Sequence, residues 1–492
     1  MLVLLNFDSA SVPLLERLVA EGRLPAVADL LGRGRRYPLR SPATYFPAGA
    51  YPTLYTGLEL ADHGLYYPFQ WDAAAQRSRY VETFPSPATV WERVSEAGAR
   101  SLVVDPYESR PPRGLRGLWL CGWQFRNRVV LPPRSRPEDA NRRLQRRLGR
   151  SPSVEEVFGT QSRARLEAMR RALLAAPGRV ARLARHLLRQ QRFDLLWLTF
   201  SAAHLAGHQF WDLSQFPDTQ GLERTLPEVY ERVDEAIGEI LGAVGDDADV
   251  VLFAVLGMGP DTSRVDLLPG MLGAVLGGRP AEAGPGTVLW RLRDAIPTGV
   301  RASVADRLPR RAVLDLTARL ETRAPDWSGV RAFVLASDVV GYIRFNLRGR
   351  EREGVVEPDE TDALSERIAT GLATFADPDG TPSITRVERR ADVVADGPCS
   401  QMLPDLVVRW SDRPSIGLDR VVSPQYGEVR RAGRGSGRSG NHVDDAWTVV
   451  VPGRAREPED RPAGNVVDLA ATVCAALGAE TTGLPGRSLL LP

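Results

Sequence analysis

The sequence predicts an α/β protein: a doubly wound, mostly parallel sheet with helices on both faces, carrying an inserted lid or small second lobe. Three observations predict it. Short apolar runs at Leu2–Asn6, 194–200 and Asp249–Ala254 read as buried strands, because parallel strands covered on both faces need no polar alternation. Amphipathic stretches of helical period lie between them. The 492 residues exceed what one ordinary core requires, so one large domain with an insertion, or two domains, is expected.

Taken in order, Leu2–Asn6 ends at Asp8, and a helix over Val12–Ala20 follows with leucines and valines on a 3.6-residue period. After a loop rich in Pro, Gly and Tyr comes a strand at 101–105, then an arginine-rich amphipathic stretch at 164–191 that leads into 194–200. A helix over Thr225–Val244 opens with Thr225 as cap, Pro227 in the first turn and Glu228 completing a capping box; Gly245 ends it. Asp249–Ala254 then stops at Leu256-Gly257-Met258-Gly259, read as a tight turn. Residues 260–330 are loop-rich apart from a helix at 311–321. Residues 331–410 carry strand-like runs at 339–345 and 384–387 and a helix at 360–375. This pattern assigns 1–260 and 405–492 to the α/β core and 261–404 to an insertion or cap. A Gly- and Arg-rich loop, 430–439, delivers His442 ahead of a strand at Trp447–Val451 and a helix at 465–477.

Composition narrows the function. There are 63 basic residues, every one arginine, against 61 acidic ones, a net charge of +2. That balance lacks the long basic field of a nucleic-acid binder, and the arginines between Arg142 and Arg150 read as a solvated helix face. Cys121, Cys399 and Cys474 are odd in number, widely separated and without metal-ligand spacing, which argues against a disulfide framework and fits a reducing cytoplasm. No apolar run approaches the roughly 20 residues that cross a bilayer. The expectation is a soluble cytoplasmic protein whose partner is a small molecule, with neither nucleic acid nor membrane.

Only five histidines occur, and three fall where a metal site needs them. His204 and His208 follow the strand at 194–200. If a helix begins there, their i, i+4 spacing puts both rings on one face, able to share one ion. His442 precedes a late strand. Three imidazoles leave the fourth position of a tetrahedral zinc open to water, whose pKa then falls to about 7. The competing reading is a pair of buried structural histidines and an exposed loop histidine beside Asp444 and Asp445. His63 and His186 read as structural. Asp8 is read either as a site carboxylate or as a cap of the helix behind it.

These residues resemble the alkaline phosphatase superfamily, in its type I phosphodiesterase and nucleotide pyrophosphatase branch. The resemblance rests on Asn6-Phe7-Asp8, on Pro52-Thr53-Leu54-Tyr55-Thr56-Gly57 followed by Asp62-His63-Gly64, on His204 and His208, on Leu256-Gly257-Met258-Gly259, on Gly440-Asn441-His442, and on Gly486-Arg487-Ser488-Leu489-Leu490. It implies a wound sheet carrying two divalent metals with a Thr or Ser nucleophile between them. It also implies that Asp8 is a carboxylate ligand and that His204, His208 and His442 hold the second metal. The first metal half-site is degenerate: Ala254-Val255-Leu256-Gly257-Met258 stands where the family has Ser-Asp-His-Gly-Met. One ion rather than two is therefore expected, zinc or manganese, unless Asp261 replaces the lost carboxylate.

The family's nucleophile position falls on Pro47, followed by Ala48, Gly49 and Ala50, none of which attacks phosphorus. Thr44 serves instead if the loop holds a small insertion, with Thr53 as a further candidate. Tyr66, Tyr67 and Trp71 either line a substrate pocket or pack a long loop. The functional expectation is a metal-dependent hydrolase of phosphate esters, a phosphodiester or pyrophosphate first, a sulfate ester or phosphonate next. The alternative is a degenerate member with altered, non-hydrolytic chemistry, or a pseudoenzyme that binds metal or ligand.

Overall fold

The computed structural model describes residues 1–106, 109–126, 133–154, 162–214, 218–277, 326–431, 436–454 and 456–491. Its centre is a nine-stranded sheet in the order Gly464–Asn465, Arg35–Arg40, Trp447–Val451, Asp249–Ala254, Leu2–Asn6, Leu195–Thr199, Ser101–Val104, Gly117–Cys121, Arg134–Arg136. The five strands from Asp249–Ala254 to Gly117–Cys121 are mutually parallel, and antiparallel neighbours flank them at Trp447–Val451 and Arg134–Arg136.

Alternation along the first strand explains the two helical layers. Val3, Leu5 and Phe7 enter one core with Val12–Ala20, Pro25–Arg33, Arg163–Leu188, Ala202–Phe210 and Thr225–Val244. Leu2 and Leu4 enter the other, with Ala50–Thr56, Val90–Glu96 and Val466–Ala476. With period 2 along each strand, a short apolar run feeds both layers, as a doubly wound sheet requires. The register pairs Asn6 with both Thr199 and Phe253, so three parallel strands end at one level. Loops leaving those ends form the crevice where wound sheets bind ligands.

Two local expectations fail for tertiary reasons. The helix Thr225–Val244 starts where expected, but Arg224 occupies the cap position without a side-chain bond, and Glu228 is drawn to Arg170 on the neighbouring helix. The run after Asp249–Ala254 is a strand, not a tight turn: Gly257–Pro260 pairs antiparallel with Gly440–Val443, setting Met258 opposite His442.

The second lobe is built on a four-stranded antiparallel sheet, Ala332–Leu335, Gly341–Phe345, Leu406–Trp410, Ile384–Arg389, backed by the helices Leu268–Leu276 and Thr361–Leu372. Leu406–Trp410 and Val421 of the hairpin strand Arg420–Ser423 belong to this lobe's core, so it extends past residue 404. The helix expected at 311–321 lies outside the described residues. Phe46, Tyr66 and Trp71 join the lobe to the main sheet by packing with Trp327, Leu335 and Tyr342. Beneath that joint lies a buried ion network: Arg344 and Arg350 both donate to Glu351 Oε1, at 2.8 and 2.9 Å, and Arg350 also forks onto Asp405.

Candidate metal centre

The helix Ala202–Phe210 begins three residues after Leu195–Thr199, and its start is fixed to the first strand by Phe200 N–H donating to Asn6 O at 2.8 Å. All nine of its residues are buried. His204 and His208, one turn apart, therefore face the crevice together.

His442 reaches them because two glycines let backbones meet. A Cβ on Gly440 would lie 2.3 Å from Gly207 O and 2.7 Å from Trp211 Cβ, and one on Gly207 would lie 2.6 Å from Met258 Cγ. Only hydrogen fits at both positions. Ser439 N–H donates to His208 O at 2.9 Å and closes the contact. The imidazole centroids then lie 4.7 to 4.8 Å apart, and the three ligand atoms lie within 4.8 Å of one another. Among the described residues this is the one group of three or more His, Cys, Asp or Glu able to hold a metal ion.

Hydrogen bonding sets the ring tautomers. His208 Nδ1 lies 2.9 Å from the Gly440 carbonyl, which only accepts, so Nδ1 carries the proton and Nε2 is bare. His204 Nδ1 lies 3.3 Å from Asp8 Oδ1 and 3.0 Å from Ser9 Oγ. A carboxylate likewise only accepts, which leaves His204 Nε2 bare. The two Nε2 atoms face each other at 3.2 Å. Opposed lone pairs at that distance repel unless a cation lies between them. Two imidazole ligands of a tetrahedral zinc, each bonded at about 2.0–2.1 Å, would sit about 3.3 Å apart. The donor set therefore fits a divalent ion.

The other expected residues lie as follows. Asp8 is fully buried, and its Oδ1 receives the Tyr51 hydroxyl at 2.5 Å as well as facing His204; it touches the back of that ring and stands outside the three-histidine group. Asp261 binds Ser436 Oγ at 2.7 Å, Asn441 Nδ2 at 3.1 Å and Ser263 N at 3.0 Å, so it ties down the segment that carries His442; burial raises its pKa. Val255 and Leu256 are buried in the apolar core on the Ala50–Thr56 side.

Thr44 ends a short 3-10 turn whose first residue follows Ser41, and Ser41 Oγ donates to Val255 O at 2.7 Å, so this turn sits over the apolar side of the crevice. Tyr66 and Trp71 are buried in the joint, with Trp71 Nε1 donating to Glu351 Oε2 at 2.8 Å and the Tyr66 hydroxyl accepting from Trp71 N at 3.2 Å; Tyr67 is half-buried. Sequence reasoning did not identify Tyr51 or Ser9. Ser9 adopts φ +59°, a left-handed conformation that its residue type does not announce.

His63 is held apart from the centre. Leu65 N donates to its Nδ1 at 3.0 Å, so its Nε2–H donates to Thr53 Oγ1 at 2.9 Å; a ring donating there cannot take a proton from Thr53. Burial lowers the His63 pKa from 6.5 to about 3. The folded protein thus disfavours a proton that the unfolded chain accepts below about pH 6.5. The stability is present in full above pH 6.5 and drains away as pH falls toward 3, by on the order of 4 kcal/mol. Urea midpoints across that range check this, with the slope expected to flatten in His63→Asn.

Comparison with known proteins agrees with the architecture. A crystal structure of phosphonoacetate hydrolase from Sinorhizobium meliloti 1021 in complex with phosphonoformate aligns over 97% of this chain and 95% of that one, with a TM-score of 0.54 and 14% identity. Murine ectonucleotide pyrophosphatase/phosphodiesterase 5, in an inactive form in complex with AMP, aligns over 100% of this chain and 99% of that one, with a TM-score of 0.51 and 12% identity. At such identities the likeness is one of fold. No curated protein matches the sequence. The sequence model of type I phosphodiesterase / nucleotide pyrophosphatase matches residues 2–272, more than half of the chain. With its largely parallel sheet and crevice, the chain belongs to the type I phosphodiesterase / nucleotide pyrophosphatase family, within the alkaline phosphatase superfamily.

Proposed function

We propose that the protein is a metal-dependent hydrolase of phosphate esters that works with one divalent ion, zinc before manganese, held by His204, His208 and His442. The observation that carries this reading is the convergence of three buried imidazoles whose ligand atoms lie within 4.8 Å of one another, with two Nε2 atoms 3.2 Å apart. A cation held there supplies Lewis-acid catalysis, stabilising charge on a phosphoryl oxygen and acidifying water.

The chain's own groups do the rest. Asp8 and Ser9 keep the proton on His204 Nδ1, and the Gly440 carbonyl keeps the proton on His208 Nδ1. Val255, Leu256 and Met258 exclude water on the Asp249–Ala254 side, and their apolar side chains support one ion instead of two. A phosphodiester or pyrophosphate substrate fits the family; a phosphonate or sulfate ester is the next candidate. Of the three aromatics, Tyr66 and Trp71 are buried in the joint and Tyr67 packs half-buried against it, so Tyr67 is the preferred candidate for a substrate contact. The three unbonded cysteines support a reducing, cytoplasmic setting, and among the described residues no helix is long and apolar enough to cross a membrane.

The test is metal content and turnover measured together. Purified protein is expected to carry about one equivalent of zinc or manganese and to cleave a chromogenic phosphodiester, with turnover lost on chelation and restored by metal. Water is the attacking group in this reading, because among the described residues no hydrogen bond reaches the Thr44 hydroxyl to activate it. Thr44→Ala is accordingly expected to keep its metal and to turn over within about threefold of wild type, less than the 10²-fold or more that losing a positioned catalytic group costs. A far larger loss assigns the attack to Thr44.

A second reading is favoured by Val255, Leu256 and Pro47, which stand where the family's first-metal ligands and nucleophile belong. In it the fold and one ion persist, with altered chemistry or binding alone. One equivalent of bound metal with a broad panel of phosphate, phosphonate and sulfate esters left uncleaved selects it.

A further inference from the structure

We infer that Asp8 is a positioning residue that orients and polarises His204 from behind. The assignment rests on the three-histidine metal reading above.

Three groups converge on one carboxylate oxygen. Asp8 Oδ1 receives the Tyr51 hydroxyl at 2.5 Å and the Ser9 hydroxyl at 3.3 Å, and faces His204 Nδ1 at 3.3 Å. The Ser9 oxygen lies 3.0 Å from the same nitrogen, and the left-handed backbone of Ser9 holds it there. Asp8 and the His204 side chain are both fully buried, so this contact is not weakened by water. A carboxylate behind a metal-binding imidazole fixes its tautomer, aims its free nitrogen and raises its strength as a ligand. Asp8 is arranged to do all three.

The experiment uses the full-length protein, labelled with ¹⁵N at histidine. With five histidines in the chain, assignment by single substitution is direct. In metal-free wild type, the His204 ring is expected to carry its proton on Nδ1, a readout independent of metal and of whether any variant folds. With Co²⁺ as probe, wild type is expected to bind one equivalent with visible bands of tetrahedral geometry. Asp8→Asn, which keeps an acceptor oxygen, is expected to hold the same equivalent with unshifted bands and about tenfold weaker affinity, and Asp8→Ala to weaken it about 10–100-fold. His204→Ala, by contrast, should change the bands.

A band shift in Asp8→Asn, or a metal-free His204 ring protonated on Nε2, overturns the assignment. Wild type that binds no Co²⁺ overturns the metal reading and the assignment with it. That result is distinct from wild type that binds one equivalent while the Asp8 variant changes geometry.

Discussion

His208→Ala is expected to empty the proposed centre of metal while leaving the fold in place. His208 supplies one of two opposed Nε2 atoms, and its ring also anchors the segment carrying His442 through the Gly440 carbonyl. Removing it takes away a direct ligand and loosens a second one, His442. Outer partners of a metal ligand are worth about 10–100-fold in affinity, and a ligand that also orients its neighbour is worth more. The expected result is a fall from about one equivalent of metal to less than a tenth after dialysis, with phosphodiester cleavage lost in step. The backbone bond from Ser439 N to His208 O survives the substitution, so far-UV circular dichroism should be unchanged. A variant that still binds one equivalent refutes the three-histidine centre.

Glu351→Ala is expected to cost about 3–5 kcal/mol, the penalty for stranding one partner of a buried pair. Arg344 and Glu351 are 1% and 4% exposed. Alanine leaves the Arg344 guanidinium with only two carbonyl partners, Leu403 O and Gln401 O, and leaves the Trp71 indole N–H without its acceptor. Arg350 keeps Asp405 and fares better. Because Trp71 and Trp327 meet edge-to-face in the same joint, with ring centroids 5.4 Å apart, tryptophan fluorescence reports the loosening directly. Urea midpoints are expected to drop strongly for Glu351→Ala and less for Glu351→Gln, which retains both side-chain oxygen and size. Equal midpoints for wild type and Glu351→Ala would show that the network contributes little.

How far the sequence could be read depended on whether the deciding partner was local. Leu2–Asn6, Val12–Ala20, Asp249–Ala254 and Trp447–Val451 were legible to the residue, because apolar runs and 3.6-residue periods carry their own signal. Gly257–Pro260 was not, since its pairing strand lies about 180 residues later and a glycine-rich run reads as a turn without it. The boundary drawn at residue 405 could not be placed from sequence, because it is the pairing of Leu406–Trp410 with the distant Gly341–Phe345 that puts this strand in the small sheet. In the centre, the three histidines could be picked out from their scarcity and spacing. The contact of Asp8 with His204, and the Tyr51 hydroxyl that shares it, could not, because 196 and 43 residues separate those partners. Tyr66 and Trp71 were ambiguous from sequence for a related reason: the aromatic rings they meet, Tyr342 and Trp327, come from the distant lobe.

The strand Gly440–Val443 packed on the helix Ala202–Phe210 dictates when the centre comes into being during synthesis. A ribosome must release more than 230 further residues after His208 before His442 can arrive. Until then the emerging chain offers only a pair of imidazoles on one helical turn, and pairwise grip on an ion is weak. On the proposed metal reading, loading is thereby coupled to synthesis through Gly440–Val443, so a product halted after the segment matched by the family, residues 2–272, would lack the third imidazole however well its sheet had formed.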